Sequence, residues 1–320
     1  MHNSKAANQE GTRLVLWVAL LFFAAAVVLP VFPQILPRPA LAAAQIVPAV
    51  VFALIHGAKI YRLRGILVFA LISVALGFAM EIVGVRTGFP FGHYYFTDGM
   101  GPKLFLVPIL MGPAYLGMGY VSWTVARVIL GDGNSETEFA GLRVTAVPLA
   151  ASFVMVAWDL SFDPALSTYG RYWVWTQGGP YFGVPMTNFL GWYLTNYLIY
   201  QAFALYLRRR SAAFQLPARV DSHLAVLFYA VCAGGSALRV ASTPSTPVVA
   251  DPTGTLWRVR DINNVCALAA FLVMGAFVVL AFARLTASVP GPQIAANKFA
   301  SAHPETTETF AQQDELEQVP

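Results

Sequence analysis

Three carboxylates stand where an apolar chain has little reason to carry charge. Glu81 lies near the end of the apolar run 65–84, Asp159 directly follows the run 142–158, and Asp163 comes four residues later. An ionisable side chain in such a run is expensive unless it is paired or faces a polar cavity, which makes each a site candidate. The i, i+4 spacing puts Asp159 and Asp163 on one helical face if the helix continues, although Pro164 predicts a stop after 163. Two carboxylates that close repel when both are ionised, so one keeps its proton, and that is the state a proton donor needs. The structural alternatives are a Glu81–Arg86 ion pair tying a helix end to its loop, and one loop-bracing Asp beside one solvated Asp.

The segments around these acids are unlike simple connections. Residues 81–103 contain Gly88-Phe89-Pro90-Phe91-Gly92-His93-Tyr94-Tyr95, and residues 158–185 contain Trp158-Asp159, Trp173-Val174-Trp175 and Tyr181-Phe182-Gly183-Val184-Pro185. Trp and Tyr are expected as a belt at a membrane interface. So many rings joined by Gly and Pro predict, beyond that, a structured cap at the membrane surface. Downstream, Asn188, Trp192 and Asn196 recur at i, i+4, i+8, with Tyr193, Tyr197 and Tyr200 on a neighbouring face. In lipid such amides must look inward, either as interhelical hydrogen-bond glue or as the lining of a pocket. His93 is the histidine to watch, whereas His56, beside Lys59, reads as interfacial. Gly112, Gly117 and Gly119 read as close-packing points.

The elements that must position these residues follow from composition. Of 320 residues, 57% are hydrophobic and 11% charged, against about 25% charged in a soluble domain, and mean hydropathy is +0.61. A soluble globular enzyme is excluded. Apolar runs over 14–36, 41–57, 65–84, 104–130, 142–158, 185–207, 223–241 and 264–286 predict an all-α, polytopic transmembrane helical bundle of about eight spans. Because 41–57 and 142–158 are short for a core about 30 Å thick, the range is six to eight. The first run follows Lys5 and Arg13 and precedes Ala42-Ala43-Ala44-Gln45, but exceeds the apolar stretch of about 7–15 residues usual in a removable leader, and is read as a span.

Charge gives the expected orientation. Residues 1–286 form a single membrane domain with nineteen basic and eleven acidic side chains, a net of +8. Thirteen of the twenty basic residues, among them Lys59, Arg62, Arg64 and Arg208-Arg209-Arg210, fall on one side, which predicts that side and both termini to be cytoplasmic, with the aromatic loops capping the other. Residues 287–320, rich in Pro, Gln, Thr and Glu, read as a disordered acidic tail, and 131–138 as a solvated loop. No fixed-period repeat, phosphate-binding glycine loop, H-E-x-x-H or histidine-rich iron box is present, and Cys232 and Cys266 have no metal-ligand spacing. What remains is acid–base chemistry on an apolar ligand, or binding alone.

Taken in order, Glu81, the Gly88–Tyr94 motif, Trp158-Asp159, Asp163-Pro164, Trp173-Val174-Trp175, Tyr181–Pro185, Asn188-Phe189 and Gly191-Trp192 resemble the carotenoid biosynthesis membrane-protein family over about residues 65–285. That family includes carotenoid 1,2-hydratases acting on γ-carotene-like and bacterioruberin-type precursors. The resemblance implies a multi-pass protein of the cytoplasmic membrane and a hydro-lyase that needs no cofactor or metal. It would add water to the terminal double bond of an acyclic carotenoid ψ-end group, giving a tertiary alcohol. Spacing and resemblance together predict Asp159 or Asp163 as proton donor, Glu81 as second carboxylate and water-orienting base, and Asn188 positioning the water. Trp158, Trp173, Trp175, Trp192, Tyr94 and Tyr95, with His93 and Arg86, would line the substrate site, the ring faces steadying a carbocation. The expected partners are the apolar carotenoid, membrane lipid and other carotenoid-pathway enzymes, with no nucleic acid. The rival expectations are a non-catalytic carotenoid-binding or scaffolding membrane protein, and a small-molecule transporter.

Overall fold

Apolar runs with no period-two alternation coil into helices, because in lipid each backbone N–H and C=O must be satisfied within its own segment. The computed structural model describes residues 2–32, 35–131, 141–209, 219–242 and 247–287. The tail expected over 287–320 and the loop over 131–138 lie outside them, apart from Gly131 and Ala287. The helices are α1 (His2–Val28), α2 (Arg38–Thr87), α3 (Met111–Leu130), α4 (Arg143–Pro164), α5 (Met186–Arg208), α6 (Arg219–Ser242), α7 (Val259–Ala269) and α8 (Gly275–Thr286), the last two joined by a π-helical turn. The chain to Leu285 forms one compact unit, an all-α bundle of membrane type.

Five helical stretches are long and apolar enough to cross a bilayer, at 10–31, 38–87, 143–169, 222–242 and 259–286 among the described residues. By this measure the expected count of about eight is not confirmed. Part of the difference is that 41–57 and 65–84 belong to one 50-residue element, broken at Arg62, whose φ of 57° lies in the left-handed region. Part is that α3 and α5 carry Gly, Tyr, Trp and Asn in place of uniform apolar residues. α3 tolerates this because it is buried along nearly its whole length, packed by α2, α4 and α6, so little of it meets lipid. The expected start of that span at 104 is also corrected. Lys103–Leu104 (β2) and Val107–Pro108 (β3) form a tight hairpin turned through Phe105 and Leu106, both at positive φ, and the helix begins only at Met111.

Without a hydrophobic driving force between helices in lipid, close packing of small residues does the joining. A Cβ on Gly117 would lie 2.8 Å from that of Ala49, and one on Gly112 2.9 Å from Val74 Cγ1, so these glycines are contact points of α3 on α2. His56 is fully buried inside the bundle, with Nδ1 at 2.8 Å from the Tyr120 hydroxyl.

The site end of the bundle is held by two devices. Tyr94–Phe96 (β1) pairs antiparallel with Trp173–Trp175 (β4), in the register Tyr94 to Trp175 and Phe96 to Trp173, which stitches the two aromatic loops together as a cap. The other is α4, which does not stop at Pro164 but widens into a π turn over Ala165–Tyr169. Proline cannot donate to the carbonyl four residues back. Here the Tyr181 hydroxyl donates to Leu160 O at 2.9 Å, and Ser236 Oγ and Arg239 both donate to Ser161 O at 3.1 Å. With those carbonyls satisfied from outside the helix, the chain keeps coiling and carries Asp163 and Ser167 inward. A third hairpin, Val248–Ala250 (β5) with Leu256–Arg258 (β6), belongs to the same cap.

Candidate active site

Glu81, Asp159 and Asp163 come from α2 and α4 and are brought together in the interior, 3%, 0% and 1% exposed. Each carboxylate is close enough to the others to interact electrostatically. Asn188 at the start of α5, itself 1% exposed, bridges the aspartates: its Nδ2 donates to Asp159 Oδ2 at 3.0 Å and to Asp163 Oδ2 at 2.6 Å. The Trp173 indole N–H donates to Asp163 Oδ1 at 2.8 Å. Asp159 Oδ1 is buried with no hydrogen-bond partner among the described residues. Among the described residues no basic side chain neutralises the group; its partners are an amide, an indole and phenols.

Glu81 is held by two tyrosines. The Tyr94 hydroxyl donates to Oε2 in a short bond, and Tyr115 of α3 donates to Oε1 at 2.8 Å. Burial, with Glu81 beside it, holds the Tyr94 hydroxyl well above the usual tyrosine range, so it remains a donor. Two glycines of α2 make room for these phenols. A Cβ on Gly77, one turn before Glu81, would come within 2.6 Å of the Tyr115 ring; one on Gly84, nearly a turn after it, would lie 2.6 Å from Phe91 and 3.0 Å from the Tyr94 oxygen. Gly88 ends the helix at φ 81°, where a left-handed cap favours glycine, and its N–H donates to Gly84 O at 2.8 Å.

Rings wall the cluster. Tyr115 stacks on Trp192 at 4.9 Å, Trp192 meets Trp158 edge-on at 6.3 Å, and Tyr94 meets Trp175 at 4.8 Å. In β1 the two-residue period turns Tyr94 and Phe96 inward and leaves Tyr95 half-exposed, so Tyr95 does not line the site. Arg86 is exposed in the last turn of α2 and makes no ion pair with Glu81 among the described residues; the tyrosines take that place. His93 is also exposed, its ring packed over Gly88 rather than turned to the acids. Asn188 has its amide nitrogen committed to the two aspartates, so it braces the carboxylates. Asn196 bonds back to its own helix at Trp192 O, 2.8 Å. Tyr115 was not foreseen. Its only sequence signal is the pair of glycines flanking Glu81 on one face of α2, which leaves space for a large neighbour.

The arrangement brings three buried carboxyl groups together with an amide, an indole, two phenols and ring faces able to sit against a cationic carbon. These are the groups that acid–base chemistry on an apolar molecule would use.

Residues 15–251 match a family model described as carotenoid biosynthesis protein, starting earlier and ending sooner than the motif resemblance. Among curated proteins, a bisanhydrobacterioruberin hydratase of Haloarcula japonica is 29% identical over 133 residues, which are 40% of this chain and 41% of that protein. The match thus spans about two fifths of the relative's length. No solved structure matches the chain.

Proposed function

Since the chain belongs to the carotenoid biosynthesis protein family, we propose that it hydrates the terminal double bond of an acyclic carotenoid end group. The observation that carries this reading is the Asp159–Asn188–Asp163 bridge, fully buried among rings and next to Glu81. We assign the transferable proton to Asp159, whose Oδ1 has no hydrogen-bond partner among the described residues. The proton goes to the less substituted alkene carbon, leaving a tertiary cation on its neighbour. The faces of Trp158, Trp192 and Tyr115 steady that cation, an effect worth about 2 kcal/mol or more in a desolvated site. Water bonds to the cationic carbon and gives up a proton to Asp163, which the Trp173 and Asn188 donors suit to hold negative charge. When that proton passes to Asp159 the pair is restored, and the net change is one water added.

Glu81, fixed between two phenols, supplies negative charge near the developing cation. The hydratase name of the Haloarcula relative supports the same class of reaction. The apolar helices support a multi-pass membrane protein; the positive-inside count supports the cytoplasmic membrane with both termini inside where α2 crosses twice about its break at Arg62 and α3 and α5 also cross. Expression in cells that make lycopene, followed by pigment analysis, tests the reading. The expected result is a tertiary alcohol heavier than its precursor by one water. Unchanged pigment that co-purifies with the protein refutes catalysis and makes it a binder.

A further inference from the structure

The acids are sealed from solvent, yet hydration consumes a water in every turnover. Between the π turn after α4, strand β4 and the β5–β6 hairpin lies a cavity of about 10 Å³, lined by Ser167, Thr168, Arg171, Val174, Trp175 and Asp251 among others. That volume admits about one water, provided it finds polar partners. The lining supplies them. Thr168 Oγ1 donates to Phe182 O at 2.6 Å, and Asp251 brings a carboxylate. Arg171 ties the π turn to the hairpin by donating to Ala250 O at 2.8 Å.

The inner wall of the cavity touches the site. Ser167 Oγ donates to the Asp163 carbonyl at 2.9 Å and lies near its carboxyl. The Trp175 indole nitrogen is buried beside the same carboxyl without a hydrogen bond of good geometry. A carotenoid could not enter so small a space.

Resting on the hydration reading above, the geometry points to a water-delivery site: this cavity admits the water to be added and passes it to Asp163, by a way separate from the one the alkene takes through lipid. Ser167 and Trp175 are its positioning residues, and the β5–β6 hairpin is its outer wall. Delivery of single waters has a chemical consequence. A tertiary cation that is not captured loses a proton from an adjacent methyl group. The Asp159 carboxylate takes that proton back, and the product is an isomer with the double bond shifted to the chain end. Atoms balance without water, so this isomer reports protonation that was not followed by capture.

The test fills the cavity from two elements, by Val174→Phe, which removes no polar group, and by Ser167→Val, each in the full-length protein in lycopene-making cells. The expected result for either variant that accumulates in the membrane is about a tenfold or greater fall in hydrated product with a matching rise in the ratio of shifted isomer to hydrate. Hydration at the wild-type level, or hydrate and isomer falling together at a fixed ratio, overturns the delivery site while leaving the hydration reading intact. A wild-type protein that forms neither product overturns the hydration reading, and the delivery site with it.

Discussion

A residue with no functional group gives the sharpest prediction about the site. Replacing Gly77 by Ala puts a methyl 2.6 Å from Cγ and Cδ2 of Tyr115 and 3.2 Å from its Cβ. Carbon contacts settle at about 3.5–4.0 Å, so the ring must retreat by about 1 Å. Trp192 is stacked against that ring at 4.9 Å and 14°, which leaves it little room. A shift of that size carries the 2.8 Å bond from Tyr115 to Glu81 beyond about 3.5 Å, where it ceases to be a hydrogen bond. Hydrogen bonds to charged groups are worth about 1.5–3 kcal/mol, and overpacking adds about 1–3 kcal/mol of destabilisation. If the bond matters in the transition state, hydration falls about 10- to 100-fold. The assay is hydrated carotenoid per unit of membrane-resident protein for Gly77→Ala beside Tyr115→Phe, which deletes the hydroxyl without crowding. Gly77→Ala within about twofold of wild type would refute the role given to the Tyr115–Glu81 contact.

Other consequences are open to the same kind of measurement. Asn188→Leu leaves two buried carboxylates without their shared donor and should cost about 2–5 kcal/mol, read as a lowered thermal midpoint in detergent together with loss of product; an unchanged midpoint contradicts the bridge. Tyr181→Phe strips Leu160 O of its outside donor at the proline break, and a loss of about 1–2 kcal/mol is expected in the same melt. In the β5–β6 hairpin, hydrogen bonds from Thr253, Thr255 and the Trp257 indole hold Asp251 below its ordinary 3.8, against the opposing effect of burial. A group depressed on folding contributes stability above its unfolded value and loses it as pH falls through the folded one. Amide protection in residues 248–258, taken relative to the intrinsic exchange rate at each pH, should therefore hold at neutral pH and fall only below about 3.8, a change that Asp251→Asn should abolish.

What the chain disclosed in advance was charge out of place. Glu81, Asp159 and Asp163 were legible because an acid in an apolar run has few inexpensive explanations, and the cap because Gly, Pro and rings crowd into two loops. The i, i+4 reading of the aspartates was sound, while the stop at Pro164 was not. A single proline breaks a helix only when nobody else bonds the freed carbonyls, and Tyr181, Ser236 and Arg239 are remote in sequence. Tyr115 was invisible because a tyrosine in an apolar helix looks like any core ring. Only the packing of α3 on Gly77 turns it toward Glu81. Arg86 and His93 were plausible by proximity in sequence, but they sit at a helix end and a loop surface where solvent is nearer than the acids. The count of about eight is left unconfirmed for a related reason: uniform apolarity reports contact with lipid, and α3, enclosed by its neighbours, can carry Gly, Tyr, Ser, Thr and Arg among its apolar residues.

The central claim is that a buried carboxyl of the bridged pair protonates the substrate, and Asp159→Asn tests it most directly because it preserves shape while removing the acid. Hydrated carotenoid is measured in cells supplied with an acyclic precursor, at equal membrane abundance, beside wild type. General acid catalysis is worth about 10²- to 10⁴-fold, so at least about a hundredfold loss of hydrate is predicted, with no shifted isomer formed in its place. Hydrate produced by Asp159→Asn at the wild-type rate would contradict the account.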